Sequence, residues 1–237
     1  MRWLFPLLTI LLVLTGCSGT PTPEFTPEEI IFRSAERMKS ISGFELLFDR
    51  SGASAYLDYE ETLSLSKMEG HYDAPDKVRA TVRVIAPGFV VDVDVITVGR
   101  TQWQTNVFTG EWEQLPEDWG FNPSTLFDPE FGLGAILTAD LSDVELLGLE
   151  ELEEMPGKKL YTISAVLAGE NIFDLSNWLI GPDDMDAKIY IDPDTFDLHR
   201  TILTEHQGDE ELERIWTIDF WNFDTVENIE PPETNTD

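Results

Sequence analysis

Hydrophobic positions along this chain follow three regimes. From Trp3 to Val13 they run almost unbroken. Ile31, Ala35, Met38 and Ile41 then recur at spacings of four and three, which puts them on one face of a helix. Thr26-Pro27-Glu28-Glu29 begins that helix with an N-cap, a proline at the first helical position and acids in the first turn. Gly43 is expected to end it.

Beyond Gly43 the period falls to two. Val78, Ala80, Val82 and Val84 alternate with polar residues, as do Phe89, Val91, Val93 and Val95. Pro87-Gly88 between the two runs predicts a hairpin. Thr109-Gly110 marks a second turn, within 106–112. Residues 44–48 and 56–68 read as earlier strands, and 144–149 and 158–167 as later ones. Two strong β runs close the chain. Ala187, Ile189 and Ile191 lead through Asp192-Pro193-Asp194-Thr195 into a strand over 196–206. The last run, 212–223, has Trp216, Ile218 and Phe220 on one face. Two segments interrupt the strands with helical spacing: 131–137, loosened by Gly132 and Gly134, and 171–180, carrying Ile172, Leu175, Trp178 and Leu179. The pattern predicts an α+β single domain, built on a large antiparallel sheet with a few short helices. One sheet face is polar at Asp92, Asp94, Thr217 and Asp219 and can meet water. The other is aliphatic and aromatic, and three short helices are too little to cover it. This argues for a sheet curled around an apolar cavity.

The opening apolar run is too short to cross a bilayer. Arg2 precedes it and Leu14-Thr15-Gly16-Cys17 follows. This is a lipobox: a secretory signal peptide, cleaved after Gly16, with a diacylglycerol joined to the Cys17 thiol by a thioether and a further acyl chain such as palmitate on the new N-terminus. Two or three chains anchor a protein where one is marginal. Cys17 is the only cysteine, so neither a disulfide nor a thiolate metal site is available. The organisation expected is a signal peptide over 1–16, a lipidated, Pro/Thr-rich tether over 17–27, one domain over 28–227 and a polar tail over 228–237. The protein is expected to be exported and lipid-anchored on the outer face of the cell membrane, or facing the periplasm of a two-membrane envelope.

The net charge of −31 argues against nucleic acid, which needs a basic stripe, and against broad attraction to anionic lipid surfaces. It reads as a solvated, self-repelling surface, with a high-salt habitat or a cationic partner as the alternatives. No nucleophile elbow, phosphate loop or dinucleotide fingerprint is present. His71, His199 and His206 are scattered and read as surface residues, with His199 and His206 on opposite faces of one strand. Asp183-Asp184-Met185-Asp186 lacks the spacing of a calcium loop and reads as a solvated acidic loop. No catalytic residue, metal site or cofactor is expected, and the chain is not read as an enzyme.

Several segments together resemble the LppX/LprA/LprF/LprG group of bacterial lipoproteins, related in fold to the LolA and LolB carriers. They are the lipobox and its tether, the opening helix ending in Met38-Lys39-Ser40-Ile41-Ser42-Gly43, the run from Pro123 to Pro129 followed by Phe131-Gly132-Leu133, and Lys188-Ile189-Tyr190-Ile191-Asp192-Pro193-Asp194-Thr195 with Arg200 beyond it. The resemblance spans about residues 28 to 225. It implies a half-barrel with helices on its concave face, enclosing an apolar cavity for the acyl chains of a lipid or glycolipid. Such a protein carries or presents its ligand across the envelope. The strong acidity, and Phe196-Asp197 where a glycine often follows the turn, depart from the group.

The cavity is expected to be lined by Val82, Val84, Phe89, Val91, Val93 and Val95 on the hairpin and by Trp216, Ile218 and Phe220 on the last strand. Leu133, Ile136 and Leu137, with Phe173, Leu175, Trp178 and Leu179, are expected at its mouth. Partners would be the lipid, the membrane through Cys17 and a transporter or other envelope protein; the chain is read as a monomer. The alternatives are an envelope protein of structural or docking role with a filled core, and a LolB-like acceptor of lipoproteins. An empty, dry space of several hundred cubic ångströms would separate a carrier from a filled core.

Overall fold

In a computed structural model the described residues are 24–58, 60–116, 128, 132–206 and 213–234. Helix α1 spans Pro27–Met38. Its start is a capping box: Glu29 N–H donates to Thr26 Oγ1 at 3.2 Å, and Thr26 N–H donates to Glu29 Oε2 at 2.9 Å. Ile30, Ile31, Ala35 and Met38 form its buried face. The helix stops at Met38. Gly43 begins the next strand, where a Cβ would lie 2.1 Å from the Thr225 carbonyl oxygen, so a close chain crossing demands glycine here.

Twelve strands follow among the described residues: β1 (Gly43–Gly52), β2 (Ala55–Tyr56), β3 (Ser64–Asp73), β4 (Lys77–Ala86), β5 (Phe89–Val98), β6 (Thr101–Thr105), β7 (Trp112–Gln114), β8 (Leu141–Glu151), β9 (Lys159–Leu167), β10 (Met185–Ile191), β11 (Leu198–His206) and β12 (Glu213–Trp221). Helices α2 (Leu133–Ala139) and α3 (Gly169–Leu175) precede β8 and β10. All strand pairings are antiparallel, and the order is β7-β6-β5-β4-β3-β1-β12-β11-β10-β9-β8, with β2 on β3. The chain starts in the middle, walks to one edge and restarts at the other. It then walks back until β12 pairs with β1. The α+β antiparallel fold expected from the period is the one observed.

The β4–β5 hairpin turns at Pro87-Gly88, with Ala86 opposite Phe89 and Gly88 at φ +88°. Asp92 and Asp94 are exposed, and Val91, Val93 and Val95 are half-buried. The expected strand over 56–68 is instead a two-residue β2, a loop, and β3. The Asp58 carboxylate accepts from the backbone N–H of Thr62 and Leu63, which folds that loop back on itself. The expected helix over 171–180 ends at Leu175, because Asn177 and Trp178 take positive φ of 52° and 69°.

The main core lies on the concave side, from α1 across β1, β3 and β9–β12. The convex face is not all wet. Thr217 and Asp219 are half-buried, and Asp219 pairs with Arg200. Ile96 and Trp103 bury themselves there with Ile229, which is 1% exposed. The chain after β12 is therefore docked rather than free at this point. Asp73 accepts from the Glu227 N–H at 3.0 Å, the Ile229 N–H at 3.1 Å and His71 at 2.9 Å. Burial would raise the Asp73 carboxyl, but these donors hold it below the usual carboxylate range.

Candidate functional site

An apolar cleft lies between the concave face of β8–β12 and helices α2 and α3. Leu133, Ile136 and Leu137 of α2 and Ile172 of α3 form one wall. Leu141, Leu167, Ala187, Ile189, Leu198, Leu203, Ile218 and Phe220 form the other, and Thr201 is the one polar residue in this lining. The strand period explains the second wall. Ala187, Leu203 and Ile189, Thr201, Ile218 are successive cross-strand rows on one face.

The wall made by α2 is held mainly by burial. The helix has seven residues, its N-cap is Gly132, and no side chain caps it. A helix this short is marginal alone. Ile136 and Leu137, 4% and 7% exposed, carry it against the sheet. Gly134 faces α1, where a Cβ would lie 3.1 Å from Lys39 Cε and 3.4 Å from the Ala35 carbonyl oxygen.

The space enclosed is about 40 Å³. A ligand pocket is usually ~300–1,000 Å³, so the several hundred cubic ångströms expected are not open here. An acyl chain would enter only if the walls part.

Of the residues expected around a cavity, Leu133, Ile136, Leu137, Ile218 and Phe220 come together in the cleft lining. Trp216 is fully buried behind them, its ring 4.9 Å from that of Phe48. Leu175 is in the core, and Leu179 packs on it half-buried. Phe173 is half-buried. Trp178 is 63% exposed, outside the lining. Val82, Val84, Val91, Val93 and Val95 share the concave face of the β4–β5 hairpin, away from this cleft, and Phe89 is 53% exposed at its turn. Cys17 lies outside the described residues, as do the expected signal peptide, most of the expected tether, and Pro123–Phe127, Pro129 and Phe131 of the resemblance. The β8–β11 wall was missed because a period of two says which residues share a face, not which half of a sheet the helices cover.

The histidines differ from expectation. His71 and His199 are buried; only His206 is exposed, beside Asp186. His199 sits in a cluster with Asp192 and Lys158, whose Nζ is 3.1 Å from His199 Nε2 and also contacts the Asp192 carboxylate. In the acidic run, Met185 is 1% exposed and the three aspartates are exposed.

This architecture is that of a known class. LprF from Mycobacterium bovis superposes with a TM-score of 0.67 at 16% identity, over 90% of this chain and 99% of that one. Lipoprotein LppX from Mycobacterium tuberculosis superposes with a TM-score of 0.59 at 13% identity, over 86% of this chain and 98% of that one. The fold is therefore the LppX-like antiparallel sheet with three helices. The chain belongs to the LppX_LprAFG lipoprotein family, whose model matches residues 26–229. A comparison with curated proteins finds none that matches.

Proposed function

We propose that this protein is a membrane-anchored carrier that holds the acyl chains of a lipid or glycolipid between α2, α3 and β8–β12 and presents them across the envelope. The observation that carries the reading is a cleft whose lining is apolar except for Thr201, closed on one side by a short uncapped helix. Each buried methylene contributes about 0.8 kcal/mol, so a sixteen-carbon tail offers on the order of 10 kcal/mol gross. The membrane offers the tail much the same. Exchange between the two needs a cavity, an opening and an anchor, and no catalysis. The lipobox at Cys17 supplies the anchor.

The small enclosed volume favours a second reading, in which the core is filled and the protein serves as an envelope scaffold. Native mass spectrometry of the protein purified from its own membrane separates the two. A carrier gives a lipid adduct that is lost on denaturation, whereas acyl chains on Cys17 survive it. Protein that carries only the covalent chains, and takes up none from vesicles, is a scaffold.

A further inference from the structure

Following the concave face along the strands from the cleft, the cross-strand rows change from apolar to charged. One row is Thr201, Ile218 and Phe48. The next is Leu203, Trp216 and Arg50, and the one after it Glu205, Arg214 and Gly52. Successive rows on one face lie about 7 Å apart. Two of the fifteen basic residues of this acidic chain therefore stand on the inner wall, Arg50 in the row of Leu203 at the edge of the cleft lining and Arg214 one row beyond it.

Both guanidinium groups are fixed by the fold. Arg50 Nε donates to the Leu65 carbonyl at 2.6 Å, and its Nη1 to the carbonyls of Gly52 and Ala53 at 3.0 and 2.7 Å. Arg214 Nη2 donates to the Ser54 carbonyl at 2.6 Å. One carboxylate bonds directly to the pair, and Asp49 acts on Arg50 through its charge. Glu205, 6% exposed, accepts from Arg214 Nη1 at 3.1 Å, the Gly181 N–H at 3.2 Å and the Trp216 indole. Its charge is committed to Arg214. Arg50 donates only to neutral carbonyls, and among the described residues its Nη2 has no hydrogen-bond partner. Burial, then the like charge of Arg214, pushes the Arg50 guanidinium below its ordinary value, against a smaller opposing pull from Asp49 and Tyr56. A guanidinium keeps its proton, so such a site is relieved by an anion, and its planar fork suits phosphate.

We infer that Arg50, supported by Arg214, is an anion subsite at the end of the cleft, which binds the phosphate of an amphiphile whose tail lies along β11 and β12. This rests on the carrier reading for the tail, and it fixes the polarity of the ligand: polar end at Arg50, tail end toward Phe220. The neighbouring walls, with Met185 and Leu203, are apolar and buried. An anion there has the arginine pair as its partner.

The test compares phosphatidic acid with diacylglycerol of the same acyl chains, each offered in phosphatidylcholine vesicles, and glycerol 3-phosphate in solution. The wild type should take phosphatidic acid about tenfold more tightly than diacylglycerol. Arg50→Met should abolish that preference and leave diacylglycerol uptake unchanged. Glu205→Gln, which removes the counter-charge, should widen it. Arg50→Lys keeps the charge and loses the fork, so it should retain part of the preference; it also covers the case in which Arg50→Met fails to fold. Equal uptake of the two lipids by the wild type overturns the subsite and leaves the carrier reading standing. Uptake of neither overturns the carrier reading. Glycerol 3-phosphate binding that Arg50→Met removes would then still support the anion site, with a free phosphate ester as its ligand, and no such binding would overturn it as well.

Discussion

His199 is 7% exposed and lies beside Lys158, with Asp192 and Asp197 as the nearby carboxylates. Burial first, and the Lys158 charge second, push its imidazole below the ordinary histidine value. The folded state thus binds this proton less well than the unfolded chain. The stability His199 contributes is complete above the ordinary histidine range, and it is lost as pH falls through that range toward the lowered value, by at most ~1.4 kcal/mol per pH unit. His206 works the other way. Its hydrogen bond to Asp186 raises its pKa, so its contribution is present at low pH and fades as pH rises. Urea unfolding at pH 7.5 and pH 5.5 should show the wild type losing stability on acidification and His199→Gln losing less. Equal losses would place the titration elsewhere. At this scale the sequence was legible where an interaction is local. Thr26, Pro27 and the first-turn acids announce the helix start, where the structure adds a capping box, because all the partners lie within three residues. The burial of His199 and His71 was not legible, because Lys158 and Glu227 reach them from distant segments.

Helix α2, seven residues long with no side-chain cap, depends on its neighbours for its stability. A uniform core helix and a movable wall make opposite predictions for one substitution. Leu133 is half-buried and lines the cleft. If α2 swings outward to admit a tail, Leu133→Trp fills the space the tail would take. Lipid uptake should then fall at least several-fold while the melting temperature holds. If α2 is a static part of a packed core, the larger ring overpacks it at a cost of about 1–3 kcal/mol, and uptake per folded molecule is unchanged. Melting temperature and fluorescent-lipid uptake measured on the same variant decide between them. The β4–β5 hairpin could be read to the residue because Pro87-Gly88 and two alternating runs pin its register. The length of α3 could not. Trp178 and Leu179 continue its apolar spacing, yet Asn177 and Trp178 turn left-handed and end it.

For the whole molecule, the sequence carried the fold class through its periods and its family resemblance, but not the enclosed volume, which depends on how closely the two halves of the sheet and the helices approach. It also did not show where the tether leaves the domain. Phe25 packs edge-on against Phe196 with ring centroids 5.7 Å apart, and the Arg33 guanidinium lies 4.2 Å from the Phe25 ring centre. Arg37 ties α1 to Asp197 and Asp224. Phe196 follows the end of β10 at Ile191, whereas Arg50 lies level with Ala187 and Arg214 with Met185, toward the other end of that strand. The eight Cα–Cα steps from Cys17 to Phe25 reach at most about 27 Å when extended. A lipid on Cys17 would therefore hold the Phe196 end close to the membrane and leave the arginine end pointing away from it, into the envelope. That arrangement requires the lipid to be on Cys17 and nowhere else. Cells labelled with radioactive palmitate should place label on the wild-type protein. Cys17→Ser should carry none and should migrate as an uncleaved precursor, because the modifying step acts on the thiol and the cleavage after Gly16 follows it. Equal label on the two proteins, or normal cleavage of the variant, would show that the anchor lies elsewhere and that the orientation argued from Phe25 has no basis.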